Sequence, residues 1–409
     1  MKTNLWYITK YFAPQTASSF GGRGHSLMKE LAKLEYNVTV ISSDSNNLCE
    51  IPSFVGKSHS EKKHGYRLIF LKTLKYTTAK SIKRILSWLH FEWNLFTFKT
   101  QDLPKPDVVI VSSLSLLTIF YGFHLKNKFG AKLIFEVRDI WPLTIIEEGG
   151  FSKNNPFVFL LGIVERLAYK NSDYIIGTMP NLLDHVESVT KNHPPVACIP
   201  MGIDKDIADD SIPLTENYKL TYFDKKYFNF VYAGTVGITN ALEPFLNAAK
   251  GMQSEKELRF IVIGDGALRQ EYMRKYDLPN LIFAPKIPRN MVQSALAQAD
   301  LLYFSTHNSK VWNFGLSLNK LIDYMRAGKP IIASYSGYPS MVNEANCGEF
   351  IPAHDTQAVV KTISKYMQMP KEERLAIGSR GNKWIYENRT YTVLANDYNE
   401  IIKNLLHTH

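Results

Sequence analysis

The 409-residue sequence predicts an α/β protein built as two consecutive lobes, each a doubly wound parallel sheet. Three observations predict it. Apolar strand-like runs alternate with helical stretches from the first residues onward. The alternation is interrupted once, by a polar and irregular segment over residues 204–227, and then begins again. The chain also exceeds the roughly 250–300 residues that one hydrophobic core sustains. The expected division is a first lobe over residues 1–205 and a second over 206–388. A tail at 389–409 reads as a helix expected to pack back on the first lobe.

The first lobe opens with the strand NLWYITKYF, a loop holding Gly21, Gly22 and Gly24, an amphipathic helix through HSLMKELAKLEY and the strand NVTVISS. This is the β-loop-α-β unit of a doubly wound sheet. DVVIVSS, AKLIFEV, SDYIIGT and VACIP follow as further strands. The second lobe reads FNFVYAGTVG, LRFIVIGDG, NLIFAPK, DLLYFST, PIIASYS and GEFIPA as strands separated by helices. The uncharged run at 108–125 is broken by Ser112, Ser113, Ser115 and His124, so it reads as a strand and a helix, not a membrane span. Ligands of such sheets bind beyond the carboxyl ends of the strands, which predicts a substrate in a cleft between the lobes.

With 45% hydrophobic and 21% charged residues, the composition is that of a soluble globular protein. Cys49, Cys198 and Cys347 are odd in number and far apart, which suggests neither a disulfide framework nor a zinc site and fits a reducing cytosol. The start MKTNLWYITKYFAPQ lacks a basic segment followed by an apolar core, so no signal peptide is expected. The net charge of +10 is concentrated in the first 200 residues, with 24 Lys and Arg against 16 Asp and Glu. A basic stretch from Lys57 to Arg84 runs into the aromatic segment ILSWLHFEWNLFTF. Lys80, Lys83, Arg84, Trp88 and Trp93 are therefore expected to form a membrane or acceptor surface, since basic and aromatic side chains together suit an anionic bilayer. A solvated basic loop ahead of a core helix is the other reading. No nucleic-acid-binding module accompanies the charge, and no nucleic acid is expected.

Several strand ends carry residues suited to chemistry. Gly21-Gly22 lets backbone N–H groups approach a ligand at the start of a helix. AGTVG, with Thr235 and Gly237, and GDG, with Asp265, form similar turns in the second lobe. FEVRDIWP places Glu136, Arg138 and Asp139 at the end of an apolar strand, where ionisable groups cost desolvation energy unless paired or put to use. A structural Arg–carboxylate pair would also account for them. In NKLIDYMRAGKPIIA, Lys320 and Asp323 are one helical turn apart and share a face. The ammonium suits a diphosphate and the carboxylate suits the two hydroxyls of a ribose, so a nucleoside diphosphate satisfies both. The preceding loop, Gly315, Leu316 and Ser317, and Asn319 at the helix start are expected to add contacts. A surface ion pair is the alternative.

Taken together, these motifs resemble the retaining family 4 glycosyltransferases of the GT-B fold. They are YFAP with Gly21-Gly22, FEVRDIWP, CIPMGID, YAGTVG, VIGDGALRQ, PKIPRNMV, KLIDYMRAGKPIIA and GSRGNKW, in that order from the first strand to about residue 385. EVRDIWP together with NKLIDYM is most similar to the subgroup that adds aminodeoxy sugars such as N-acetylfucosamine during bacterial O-antigen or capsule assembly. The resemblance implies a UDP-sugar donor held by the second lobe, with Asp323 where the family has the second glutamate of its E-x7-E pair. Gly315 stands at the first glutamate position, and GTVGITNAL lacks the family's basic pair. Lys320 must then carry the diphosphate charge, helped by Lys286 and Arg289. Arg138 stands where many relatives have histidine beside the aspartate. Arg138, Asp139 and Lys320 are the expected catalytic residues, without a metal or other cofactor. The implied acceptor is a polyprenyl-linked saccharide, reached by a cytoplasmic protein resting on the inner face of the cytoplasmic membrane. A UDP-N-acetylglucosamine 2-epimerase and a non-catalytic nucleotide-binding membrane scaffold are the competing readings.

Overall fold

The computed structural model describes residues 2–16, 19–46, 48–51, 53–76, 81–113, 115–208 and 211–407. The chain divides into two compact units, Met1–Pro200 with Tyr391–His409, and Met201–Thr390.

The first unit is organised on eight strands: β1 (Asn4–Ile8), β2 (Asn37–Ser43), β3 (Ser58–Lys63), β4 (Tyr66–Leu71), β5 (Val108–Ser112), β6 (Lys132–Val137), β7 (Tyr174–Gly177) and β8 (Val196–Cys198). Their order is β8-β7-β6-β5-β1-β2-β4-β3, parallel except for β3. Val108, Val109, Ile110 and Val111 are wholly buried, because helices cover both faces of a parallel sheet and its central strands read as continuous apolar runs. The basic stretch after Lys57 is an edge hairpin, not a loop. β3 carries the charges of SHSEKK at the open edge, where they oppose pairing with another chain, while YRLIFL in β4 is buried.

Three helices matter in this unit: α1 (Arg23–Lys33), α2 (Ile82–Thr97) and α3 (Pro156–Asn171). The terminal helix Tyr391–His407 lies against α1, and buries Tyr391, Leu394, Ala395, Tyr398 and Ile402, the one-sided spacing of an amphipathic helix.

The second unit holds six strands, all parallel: β9 (Phe228–Ala233), β10 (Leu258–Ile263), β11 (Leu281–Ala284), β12 (Leu301–Ser305), β13 (Ile331–Ser334) and β14 (Gly348–Ile351). Their order is β11-β10-β9-β12-β13-β14. The segment expected to be irregular contains a short helix, α4 (Glu216–Tyr222), whose first turn is capped by the Thr215 hydroxyl accepting from the Tyr218 N–H. Seven residues are too few to display a helical period in sequence.

Candidate active site

At the carboxyl end of β9 the chain turns through Gly234, and at the end of β10 through Gly264. A Cβ on Gly264 would stand 1.9 Å from the Gly234 carbonyl oxygen, and one on Gly234 would stand 2.7 Å from Lys320 Cε. Only glycine lets these two turns and the lysine stem lie so close. The third wall is a helix, α5 (Asn319–Arg326), with Leu321, Ile322, Tyr324 and Met325 buried in the core. The Tyr324 hydroxyl receives the Ala233 N–H at 2.8 Å and donates to the Ala233 carbonyl at 3.1 Å, pinning α5 to the end of β9.

These walls enclose a cavity of about 400 Å³. Thr235, Asp265, Lys286, Arg289, Asn319, Lys320 and Asp323 all line it, so seven of the residues singled out in the sequence meet at one place. Four others of this unit do not. Leu316 is buried in the core, the Ser317 hydroxyl accepts the Met201 N–H at 2.9 Å, and Gly315, in the left-handed region at φ +102°, closes a 3-10 turn. Gly237 is extended and begins another such turn instead of lining the cavity.

Lys320 carries the distinctive electrostatics. Its amine donates to the Tyr232 hydroxyl at 2.8 Å and to Asn240 Oδ1 at 2.6 Å, and lies 4.4 Å from the centre of the Tyr232 ring. The Tyr232 hydroxyl in turn donates to the Thr235 carbonyl at 2.7 Å. These acceptors are neutral, so burial alone pulls the lysine down from its ordinary value to about 7. An anion entering the cavity supplies the negative charge that the protein withholds.

Asp323 is not the open carboxylate that the sequence suggests. Arg289 holds it in a two-pronged ion pair, Nη1 to Oδ2 at 2.5 Å and Nη2 to Oδ1 at 2.7 Å, and the Gln293 amide donates to the Asp323 backbone carbonyl. The reason is geometric, since the turn after β11 brings a planar guanidinium opposite a buried carboxylate. Burial raises the Asp323 carboxyl above its ordinary value despite that pair. Arg289, expected on the diphosphate, is engaged with the carboxylate expected on the ribose.

In the first unit, Glu136 ends β6 wholly buried and accepts from Arg23 Nη1 at 2.5 Å, Tyr398 at 2.8 Å and Tyr7 at 2.9 Å. Arg23 also donates to the Ile199 and Pro200 carbonyls. Burial pushes the Glu136 carboxyl up, but Arg23, with Arg138, holds it below the usual range. The structural pair weighed for this motif therefore exists, with Arg23 as its cation. Arg138 and Asp139 remain half-buried at the strand end, fastened through their backbones by Ser113. Burial raises the Asp139 carboxyl, against the pull of Arg138 and Arg84. Gly21 and Gly22 lie in this unit at the head of α1, and a Cβ on Gly21 would meet the His25 ring at 2.6 Å.

The expected basic and aromatic surface divides. Trp88 turns inward, its indole N–H donating to the Tyr11 hydroxyl at 2.8 Å and its ring meeting Trp141 edge-on, while Arg84 stacks over it. Both are drawn in because that face of α2 also buries Ser87, Phe91 and Glu92. Lys83 and Trp93 face solvent, with Ile82, Leu86, Leu89 and Phe96 exposed along the same side. Lys80 lies outside the described residues.

Sequence reading missed Tyr232 and Asn240, whose role needs Lys320 in place, and the buried pair of Lys10 and Glu92. Burial draws both of the latter to about 7. Lys10, two residues beyond Ile8 at the end of β1, was the one signal available.

Among the described residues, no group of three or more His, Cys, Asp or Glu is placed to hold a metal, and no helix is long and apolar enough to cross a membrane.

Residues 227–369, which contain the whole cavity wall, match the family described as glycosyl transferases group 1. The structure is similar to sucrose-phosphate synthase from Thermosynechococcus elongatus, at 14% identity, full coverage of both chains and a TM-score of 0.74. It is similar to a structure described as trehalose-6-phosphate from E. coli bound with UDP-2-fluoro glucose, at 12% identity, full coverage of both and a TM-score of 0.73. WaaG, a glycosyltransferase involved in lipopolysaccharide biosynthesis, shares 14% identity over 97% of this chain and 99% of its own, at a TM-score of 0.65. No curated protein sequence matches the chain. The fold is GT-B, and within the second unit residues 227–369 match the group 1 glycosyl transferase family.

Proposed function

We propose that this enzyme takes a sugar from a UDP-sugar and transfers it, with retention of configuration, to a polyprenyl-linked saccharide in O-antigen or capsular polysaccharide assembly. The sugar we propose is an N-acetylated aminodeoxyhexose or an N-acetylhexosamine. The observation that carries the donor half is Lys320, a half-buried amine with neutral partners, between two glycine turns in a cavity that also holds Asp323. UDP is the leaving group, so the barrier falls when positive charge meets the charge growing on its diphosphate. One preorganised donor in such a role contributes about 3 kcal/mol. A protein of similar fold binds UDP-2-fluoro glucose, which supports the same donor class here.

In this reading Asp323, held in place by Arg289, accepts the ribose hydroxyls through its remaining lone pairs, and Lys286 supplements the charge of Lys320. Arg138 and Asp139 position and polarise sugar or acceptor groups, and the transfer uses no metal. The acceptor sits against the first unit, which meets the cytoplasmic membrane face through the exposed apolar side of α2. That side, Ile82, Leu86, Leu89, Trp93 and Phe96 beside Lys83, has the make-up of an interfacial helix.

A panel of UDP- and GDP-sugars tested by thermal shift, followed by radiolabel transfer to a polyprenyl-linked acceptor, tests the proposal. A ligand that binds only the native state raises its Tm. UDP-N-acetylhexosamines are expected to stabilise the protein and donate label. Stabilisation by GDP-sugars alone, or by none, refutes the donor assignment.

A further inference from the structure

The outer side of α3 carries Phe159, Leu160, Ile163 and Leu167, all exposed, Phe159 by 70% and Leu160 by 53%. At about 100° per residue these four fall within an arc of roughly 100°, with Arg166 and Lys170 in it or beside it. Val158, Leu161, Val164, Glu165, Ala168 and Tyr169 are buried on the other side. Single exposed apolar residues are ordinary, but four large ones on one arc mark a surface that something covers.

α3 is one of a layer. The connections from β4 to β5, β5 to β6 and β6 to β7 all step in the same direction across the sheet. Right-handed crossovers therefore put α2, the helix Ile119–Phe129 and α3 on one face, while the opposite step from β1 to β2 sends α1 to the other. The middle helix joins its neighbours. Phe96 of α2 meets its Tyr121 and His124 at 5.3 and 5.7 Å, and α3 packs on Leu116–Thr118, the turn that leads into it. Phe120 of the middle helix is exposed as well.

Charge decides what covers this layer. The three helices hold six Lys and Arg, of which Lys83, Lys128, Arg166 and Lys170 are exposed. Their two acidic residues are both turned inward: Glu92 accepts from the Ser115 and Thr118 hydroxyls at 2.7 Å, and Glu165 accepts from Tyr169 at 3.1 Å and pairs with His185 at 2.7 Å. A second copy of this chain seated on the same layer would bring its cations against these, whereas an anionic lipid surface attracts them.

We propose that α3, with Phe120 beside it, is a second membrane-docking element, so that the outer side of the whole helical layer lies on an anionic lipid surface. The assignment rests on the membrane role given above to α2 and extends it. Contact through α2 alone leaves the unit free to tilt about that helix; contact through α2 and α3 holds the layer flat, and with it the end of β6 that carries Arg138 and Asp139.

Sedimentation with vesicles of phosphatidylglycerol and phosphatidylethanolamine, compared with vesicles of phosphatidylcholine alone, tests the assignment. Phe159→Ser with Ile163→Ser should raise the Kd for the anionic vesicles roughly 10- to 100-fold. Lys128→Gln with Lys170→Gln should raise it roughly 5- to 30-fold and flatten its dependence on salt. All four positions are exposed, so the Tm of both variants should stay near that of wild type. A photoactivatable phospholipid in the vesicles should label Pro156–Asn171 of the wild-type protein as well as Ile82–Thr97, a readout that does not depend on the variants folding. Unchanged vesicle binding by the serine variant, or labelling confined to α2, overturns the second element and leaves the role of α2 standing. No binding of the wild type to anionic vesicles overturns both. A dimer in sedimentation velocity without lipid, dissociated by the same serine pair, gives the face to a second copy and overturns the proposal.

Discussion

Replacing Lys320 by Gln removes a half-buried cation whose hydrogen-bond partners in the proposed donor cavity are neutral, and its effect should depend on pH in a calculable way. With the amine at about 7 in the empty site, about nine-tenths of the protein carries the proton at pH 6 and about one-tenth at pH 8. A diphosphate that requires the ammonium therefore binds wild type about tenfold more weakly at pH 8 than at pH 6. A charge-assisted hydrogen bond contributes about 1.5–3 kcal/mol, so Lys320→Gln loses roughly 10- to 150-fold in affinity at pH 6. At pH 8 the deficit shrinks by about tenfold, because wild type has lost most of its protonated form. A UDP-sugar is the appropriate ligand, since its diphosphate diester does not titrate in this range. Titration calorimetry in buffers of differing ionisation enthalpy should register proton uptake that approaches one as pH rises from 6 to 8. Affinity independent of pH, with no proton uptake and an equal deficit at both values, refutes the reasoning.

Further outcomes follow from the same geometry. Gly234→Ala thrusts a methyl group against the Lys320 stem at a backbone conformation that favours glycine, so it should cost at least about tenfold in donor binding and lower the Tm as well, and Gly264→Ala, whose methyl strikes backbone, should destabilise by about 1–3 kcal/mol. Glu136→Gln strands the buried Arg23 guanidinium and should cost about 3–5 kcal/mol in chemical denaturation at pH 7. Because the Glu136 carboxyl is held low, its stabilising contribution is complete above the ordinary value near 4.5 and is lost as pH falls through the depressed one, so the gap between the two proteins narrows in acid. Trp93→Ser with Leu89→Ser should reduce sedimentation with anionic vesicles several-fold and spare donor binding, and equal vesicle binding contradicts the membrane role of α2. Transfer activity should survive EDTA; its loss, restored by a divalent ion, contradicts metal independence.

Alternation of apolar and amphipathic runs made both sheets legible, because parallel strands covered on both sides, such as VVIV in β5, admit few polar residues. β3 and β4 both escaped notice: an edge strand needs no apolar run, SHSEKK is as charged as a loop, and the apolar YRLIFL of β4 lies inside a stretch marked by its basic residues. The site was legible where helix periodicity fixed direction, as for Lys320 and Asp323 on α5. It was illegible where a distant segment arrives by tertiary packing. Arg289 reaches Asp323 from 34 residues away, and Arg23 reaches Glu136 from 113. Neither partner can be chosen from spacing. Trp88 shows the same limit on α2, where composition marks an aromatic helix but burial decides which rings face inward.

The most direct test of the donor site is electron density for UDP in crystals of the protein. The diphosphate should lie within hydrogen-bonding distance of Lys320 Nζ between the turns at Gly234 and Gly264, with the ribose toward Asp323. Density for UDP in any other part of the molecule, with the Lys320 amine still bonded only to Tyr232 and Asn240, would contradict it.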